Sequence, residues 1–260
     1  MAEDKKLPAD RWSALKQFTA ARIALGRNGV SEPLQHSLAF RLAHAHARDA
    51  VYAALDKNKL VSPLEQLFPS VLSLQSKATT RDRYLQFPDE GRQLSEAAVA
   101  VLSSAAIANT YPTGEPPVVV VIADGLSALA VNRHALPLLA ELVQRMPFIG
   151  RSICCLVENG RVAIGDAVGD ATGARLSLVL IGERPGLSSP DSLGVYITFQ
   201  PRQGRTDADR NCISNIRPEG LPISAAADQI QFLVGEILQR KISGVSVKAG
   251  STALPNDPRV

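Results

Sequence analysis

Polar residues that could bind a ligand follow the end of an apolar segment. Residues 176–181 are predominantly apolar and lead abruptly into Gly182, Glu183 and Arg184. In open α/β sheets, ligands bind beside the carboxyl ends of strands, where the carboxylate of Glu183 could accept hydrogen bonds from amides or hydroxyls. The alternative is a solvated turn in which Glu183 and Arg184 form a weak ion pair. The position at the end of a strand favours the binding role.

A second polar cluster, residues 209–216, contains the thiol of Cys212 and precedes a long helical pattern. No histidine lies near Cys212 in the sequence, which disfavours an activated nucleophile. The thiol is suited to a small, polarizable contact against a large ring system. The polar residues around it could instead cap the next helix or close a subunit interface. We predict that the Glu183 turn and this cluster form one site.

Common cofactor motifs are absent from the sequence. No GxGxxG follows a predicted strand and no GxxxxGK[ST] occurs, which disfavours an ordinary dinucleotide enzyme or a P-loop protein. The three cysteines show no zinc spacing, and His44 and His46 lie on different faces of a predicted helix. We therefore predict no metal ligands. Asp124, which follows a predicted strand, could either contact a ligand or form an Asp-Gly turn.

Composition and charge narrow the class of protein. The 260 residues are 45% hydrophobic and carry a net charge of +3, with the basic residues scattered along the chain. This length favours two globular domains, and the scattered charge gives little support to nucleic-acid binding. No apolar run reaches the roughly 20 residues of a membrane span, and the polar amino end does not resemble an export signal. Three cysteines without a disulfide framework fit a reducing cytosol.

The first part of the chain predicts a helical amino-terminal domain, residues 1–90. Apolar spacing predicts two helices, over residues 10–25 and 31–56. The next segments, residues 57–70 and 75–83, contain two prolines and many polar residues, so we expect irregular structure and a loop there.

Helix and strand patterns alternate after residue 90. Residues 118–122 read Val-Val-Val-Val-Ile, which is typical of a strand buried on both faces. The other predicted elements are, in chain order, a helix at 94–108, a helix ending at 146, strands at 153–157 and 161–164, a glycine-containing helix at 165–173, strands at 176–181 and 193–198, and a helix at 223–241. The alternation predicts a Rossmann-like, doubly wound α/β domain with a mostly parallel sheet over residues 91–247, followed by a flexible tail at 248–260.

Five blocks of sequence resemble one known family. They are residues 19–27 (TAARIALGR), 87–92 (FPDEGR), 124–127 (DGLS), 182–187 (GERPGL) and 212–216 (CISNI). In their order and spacing they are similar to the small (light) subunit of ethanolamine ammonia-lyase, and the similarity extends from the first predicted helix to about residue 247.

The resemblance implies an obligate lyase subunit that converts ethanolamine to acetaldehyde and ammonia by a radical mechanism. It implies a large-subunit partner, a TIM barrel that carries the substrate site, and adenosylcobalamin held base-on between the paired subunits. None of the four histidines stands in the Asp-x-His-x-x-Gly sequence by which other corrinoid proteins ligate cobalt, which fits base-on binding. The family's cobalamin contacts fall on Val162, Glu183 and Cys212, and no catalytic residue is expected on this chain.

The resemblance further implies a bacterial cytoplasmic protein. Members of the family often carry a longer amino-terminal extension associated with packaging into a bacterial microcompartment. Here the first predicted helix begins almost at once, so enclosure in a microcompartment stays open.

Two other functions compete with the lyase subunit. A non-catalytic corrinoid-binding or scaffold module of another complex would bind the cofactor without turnover. A self-sufficient α/β enzyme that uses Cys212 would be active alone and sensitive to thiol alkylation, but the sequence offers it no obvious general base.

Overall fold

The computed structural model describes residues 10–247, apart from residues 11, 20, 28 and 104–113. Its α-helices are α1 (Leu34–Tyr52), α2 (Lys57–Leu67), α3 (Arg81–Gln86), α4 (Glu96–Leu102), α5 (Ala128–Arg145), α6 (Ile164–Thr172) and α7 (Ile223–Arg240). Its strands are β1 (Ser70–Gln75), β2 (Val118–Ala123), β3 (Ile153–Glu158), β4 (Leu176–Gly182), β5 (Leu193–Phe199) and β6 (Arg210–Ile216).

The strands form a six-stranded sheet in the order β1-β3-β2-β4-β5-β6. Strands β1, β3, β2 and β4 pair in parallel, whereas β5 runs antiparallel to β4, and β6 runs antiparallel to β5. The prediction of a mostly parallel, doubly wound sheet is therefore not confirmed, because the sheet is mixed. The physical reason is the short, helix-free connection over residues 183–192, since a parallel return needs a crossover of a dozen or more residues.

Helices cover both faces of this mixed sheet. All six residues of β2 are buried, as its β-branched sequence predicts. Val118, Val120 and Ile122 pack into a core that includes α5 and α7 side chains. Val119 and Val121 pack into the core on the opposite face, together with Ile164 of α6. Helices α5 and α6, which follow the adjacent strands β2 and β3, thus pack on opposite faces of the sheet. This arrangement leaves a crevice between the carboxyl ends of the two strands.

The first ninety residues are not exclusively helical. Strand β1 pairs in parallel with β3, so this part of the chain contributes an edge strand to the sheet. The predicted helix over residues 10–25 is wrong, because of the residues described in this range only Ser13–Phe18 are helical, as a 3₁₀-helix, and Thr19 is already extended. Helix α2 forms despite Pro63, and α3 occupies part of the predicted loop. The domain boundary at residue 90 stays a prediction.

Most other predicted elements are confirmed within a few residues of their ends. They include the long helices α1, α5 and α7 and the strands β2, β3, β4 and β5. Residues 161–163 form a turn into α6 instead of the predicted strand, and residues 210–216 form strand β6, which we did not predict. The predicted tail at 248–260 and the end of the helix predicted at 94–108 lie outside the described residues.

Candidate functional site

The loops that follow β2, β3 and β4 meet at the carboxyl edge of the sheet. Asp124 Oδ1 accepts a hydrogen bond from the backbone N–H of Gly160 at 3.1 Å, which joins the first two loops. The backbone N–H of Leu126 donates to the carbonyl of Gly182 at 2.9 Å, which joins the first to the third. Gly125 has a φ of +56°, and a Cβ there would lie 2.2 Å from the oxygen of Gly182. The edge is therefore fixed by close backbone packing.

These loops line an open cavity of about 400 Å³. Its wall consists of Tyr84, Gly125, Leu126, Arg161, Val162, Ile181, Gly182, Glu183, Arg184 and Tyr196. Two of the three predicted site residues, Val162 and Glu183, thus face one space. Cys212 is not in that wall, but it lies opposite Tyr196 in the register of β5 and β6. The structure brings the three predicted residues to one neighbourhood, with Tyr196 between the cavity and the thiol.

Glu183 is linked to two neighbouring segments. Its Oε2 accepts hydrogen bonds from Ser192 Oγ at 2.5 Å and from the backbone N–H of Asn215 at 3.3 Å. The glycine at 194 provides room for the carboxylate, because a Cβ there would lie 2.8 Å from Oε1. Among the described residues no hydrogen bond engages Oε1, so one carboxylate oxygen is held and the other is available to a ligand.

The Cys212 thiol is exposed on β6 and is not activated as a nucleophile. Partial burial of the thiol raises its pKa, and a hydrogen bond with the Tyr196 side chain opposes that rise. A thiol with a raised pKa is mostly protonated at neutral pH and reacts slowly. A packing role for Cys212 agrees with this environment.

Asp124 holds the edge together. Its carboxylate is buried, accepts from the Gly160 N–H and lies 3.6 Å from the guanidinium of Arg81. Burial raises the pKa of Asp124 to about 6, although Arg81 and nearby backbone N–H groups oppose that rise. Of the two alternatives open from sequence, these contacts support a turn that connects loops, and they require no ligand.

An aromatic and basic wall of the cavity was missed from sequence. Two guanidinium groups lie near the ring of Tyr84: that of Arg161, also in the wall, is 4.3 Å from the ring centroid, and that of Arg81, outside the wall, is 4.7 Å from it. Burial raises the pKa of Tyr84 to about 12, with Arg161 opposing, so its hydroxyl stays protonated. Arg81 also donates to the carbonyls of Val51 and Gly125, each at 2.7 Å. The sequence offered one indication of this wall, the Arg161-Val162 pair, which directly follows the Asn-Gly turn.

Two guanidinium nitrogens near the Tyr84 ring, one of them on Arg81 outside the cavity wall, are buried without a hydrogen-bond partner in the described part of the chain. They are Nη2 of Arg81 and Nε of Arg161. Leaving such donors unpaired costs about 1–3 kcal/mol each, a feature that a binding site tolerates more readily than a core. The wall thus combines the basic side chain of Arg161, the aromatic ring of Tyr84 and the apolar side chains of Leu126 and Val162.

Among the described residues, no group of three or more His, Cys, Asp or Glu side chains is placed to hold a metal ion. None of the helices that the described residues form is both long enough and apolar enough to span a bilayer.

Comparison with known proteins gives one consistent result. Residues 9–248 match the family described as ethanolamine ammonia-lyase light chain (EutC). The ethanolamine ammonia-lyase small subunit of Ralstonia nicotianae is 52% identical over 239 residues, which cover 91% of this chain and 87% of that protein. The protein of the same name from Azotobacter vinelandii is 48% identical over 250 residues, 95% of this chain and 92% of its own. One from Pseudomonas putida is 49% identical over 243 residues, with coverage of 93% and 88%.

Proposed function

The chain belongs to the ethanolamine ammonia-lyase light chain family, and from that premise we propose that it binds adenosylcobalamin, base-on, where it meets the large subunit. It is an obligate subunit of a lyase, so the reaction to be explained is the conversion of ethanolamine to acetaldehyde and ammonia. The observation that carries the proposal is the cavity at the carboxyl edge, which unites Val162 and Glu183 and adjoins Cys212.

The residues of the cavity fit one side of a corrinoid. A corrin is a large, partly apolar macrocycle edged with amide groups, and a cavity of about 400 Å³ holds only part of it. Val162 and the Tyr196 ring offer apolar contact, and Oε1 of Glu183 can accept from an amide N–H. The open side of the cavity leaves the rest of the cofactor to a second protein surface, as expected of a site shared between subunits.

When bound, adenosylcobalamin supplies the radical that starts the reaction. The role of this chain is binding and orientation. Val162 packs on the corrin or its nucleotide loop, and Glu183 fixes polar groups of the cofactor. Cys212 supports the Tyr196 ring from the neighbouring strand without acting as a nucleophile. Closure by the large subunit excludes water from the space between them.

Helix α1 supports the proposed partnership with a large subunit. Leu34, Leu38 and Leu42 follow each other at intervals of one helical turn, and they are 72%, 53% and 59% exposed. Among the described residues, Ala50 is the only buried residue of this 19-residue helix. Exposed apolar surface of this extent marks an interaction site, and we propose that the large subunit covers it in a hetero-oligomer of paired subunits. A cytoplasmic location, with or without a microcompartment, stays a prediction.

Coexpression of this chain with the large subunit tests the function. We expect acetaldehyde from ethanolamine to require both chains and adenosylcobalamin. A complex that binds the cofactor without turnover would instead indicate a corrinoid module, and activity of the isolated chain would indicate a self-sufficient enzyme.

Glu183→Ala tests the cavity directly. Hydrogen bonds to a charged group contribute about 1.5–3 kcal/mol, so cobalamin affinity of the complex should fall roughly 10- to 150-fold in a spectroscopic titration. Glu236→Gln, which changes a carboxylate paired with Arg240 within α7, is the control and should leave affinity unchanged. Unchanged affinity and activity in Glu183→Ala would argue against the assigned role.

A further inference from the structure

The connection between β4 and β5, residues 183–192, has neither helix nor strand, yet it is anchored at its far end to helix α5. Asp191 is 8% exposed. Its Oδ2 accepts a hydrogen bond from Nη1 of Arg133 at 2.8 Å and lies 3.3 Å from Nε2 of His134. Arg133 lowers the pKa of the Asp191 carboxyl, although burial alone would raise it. The carboxylate is thus ionised and bound to two side chains of one helix.

Arg217, just beyond β6, holds the same connection from the other side. Its Nη1 donates to the carbonyl of Ser188 at 3.1 Å and lies 4.0 Å from Oδ1 of Asp191. Its Nε donates to Oδ1 of Asn215 at 3.1 Å. Asn215 is the residue whose backbone N–H donates to Glu183, and it has a φ of +57°. Arg217 therefore connects the loop with the backbone group that fixes the Glu183 carboxylate.

A third anchor lies between these two. Oγ of Ser127, at the start of α5, donates to the carbonyl of Pro190 at 2.8 Å. Successive bonds to Ser188, Pro190 and Asp191 hold an otherwise irregular loop in a single conformation.

The hairpin does not need these anchors to form. Strands β4 and β5 pair without interruption from Leu176 opposite Phe199 to Gly182 opposite Leu193. The backbone N–H of Glu183 extends that pairing to the carbonyl of Ser192 at 2.9 Å. Burying a carboxylate between two arginines carries a desolvation cost that an apolar turn would avoid. The effect of the anchors is therefore on the conformation of the loop and the direction of Glu183.

We infer that Asp191 and Arg217 are positioning residues for the cofactor site, which preset the loop so that Glu183 faces the cavity before cobalamin arrives. The inference rests on the proposed function. A preset site avoids the entropy cost of ordering a loop on binding. Loss of residues that orient metal ligands typically weakens affinity 10- to 100-fold, and we expect an effect at the lower end of that range here. Neither residue is in the wall of the cavity, so both act through Glu183 and its neighbours.

The test uses the complex with the large subunit and adenosylcobalamin as the probe. Asp191→Asn and Arg217→Lys should each raise the Kd and the KM for adenosylcobalamin by about tenfold, while kcat at saturating cofactor stays unchanged. Asp228→Asn is the matched control. Like Asp191, Asp228 forms an ion pair with helix α5, but its partner Arg145 lies at the carboxyl end of that helix, away from Arg133. That control should leave both constants unchanged.

A double-mutant cycle separates positioning from a general structural effect. In a Glu183→Gln background, Asp191→Asn should cause little further loss, since its effect passes through Glu183. Amide hydrogen exchange of the free chain should speed up in residues 183–192 and stay unchanged in α7, which reports on the loop even if a variant assembles poorly.

The outcomes distinguish failure of the positioning role from failure of the proposed cobalamin-binding function. If the wild-type complex binds no cobalamin, the proposed function fails and the inference fails with it. If the wild-type complex binds cobalamin and Asp191→Asn binds equally well, the inference alone is overturned. Equal losses in the wild-type and Glu183→Gln backgrounds would also overturn it.

Discussion

The Asp124 carboxylate at the carboxyl edge of the sheet is buried and finds its partners within the chain, whereas the leucine side chains at positions 34, 38 and 42 of helix α1 are exposed. At the edge, Asp124 is 6% exposed and bonded to a neighbouring loop. On α1, Leu34 is 72% exposed, although leucine normally belongs to a core. Each region thus departs from the usual distribution of polar and apolar residues, in opposite directions.

The difference separates two kinds of recognition. A buried carboxylate that accepts hydrogen bonds from a neighbouring loop makes the local backbone rigid, which suits the proposed site, because that site must present fixed hydrogen-bonding atoms to a small molecule. An apolar helix face has no such directional demands and gains free energy when any complementary surface removes it from water. We expect the edge to be complete in the free chain and α1 to be complete only in the assembly.

Gly125→Ala should give the largest effect, because it attacks the edge at its closest backbone contact. A Cβ at Gly125 would clash with the backbone oxygen of Gly182, and the positive φ of this residue is unfavourable for alanine. We therefore expect a loss of about 4 kcal/mol in the free energy of unfolding. Gly173→Ala is the control, since its φ is also positive, +65°, but nothing lies within 4 Å. It should cost only about 1 kcal/mol in urea denaturation. Equal losses would show that the edge is not tightly packed.

Asp124→Asn tests whether the edge buries charge at a cost. The pKa of about 6 in the folded state exceeds the ordinary aspartate value of 3.8, so the folded state binds more protons between these pH values and stability falls as the pH rises through them. Relative to the variant, the wild type should lose about 2.5 kcal/mol of unfolding free energy from pH 4 to 7.

Asp209→Asn is the comparison variant, because the contribution of Asp209 to stability should change with pH in the direction opposite to that of Asp124. Hydrogen bonds from Thr206 lower the pKa of Asp209, so its contribution to stability is present above pH 4 and is lost as the pH falls. Parallel pH profiles for the wild type and Asp124→Asn would show that the edge carboxylate is not strained by burial.

A double substitution on α1, Leu38→Asp with Leu42→Asp, tests the other side of the comparison. We expect the free chain to keep its unfolding free energy within about 0.5 kcal/mol, since both side chains are exposed. Assembly with the large subunit should weaken at least tenfold, because unpaired charges would be buried at the interface. Phe232→Asp, on α7 and 45% exposed, is the control for an exposed apolar residue elsewhere. Normal assembly of the α1 variant, measured by sedimentation, would exclude this face as the contact.

Sequence patterns predicted the central strands of the sheet better than its outermost strands. The run of β-branched residues in β2 has one physical solution, a strand buried on both faces, and the structure confirms it. Strand β6 was missed because it is an edge strand whose exposed Cys212, Ser214 and Asn215 give it a polar sequence. Its neighbour β5 was predicted, but its antiparallel direction depends on the length of the 183–192 connection, which apolar patterns do not report.

Sequence patterns predicted only the part of the site that adjoins a buried, apolar strand. Glu183 follows an obvious buried strand, so its place at the carboxyl edge could be inferred from the chain. Tyr84 and Arg81 come from α3, a six-residue helix in a stretch of polar sequence, and they reach the site only through tertiary packing. The helix expected at residues 10–25 fails because its apolar residues meet no core, as the 66% exposure of Trp12 shows.

The hydrogen bond between Glu183 and Asn215 has a consequence for biosynthesis. The two residues are 32 positions apart, so a ribosome adding 5–20 residues per second makes Asn215 about 2–6 s after Glu183. During that interval the nascent chain holds Val162 and Glu183 but lacks the strand that fixes the Glu183 carboxylate. Loading of the proposed cofactor site is therefore expected to follow translation of β6, and we expect a chain that ends before Asn215 to bind cobalamin more weakly.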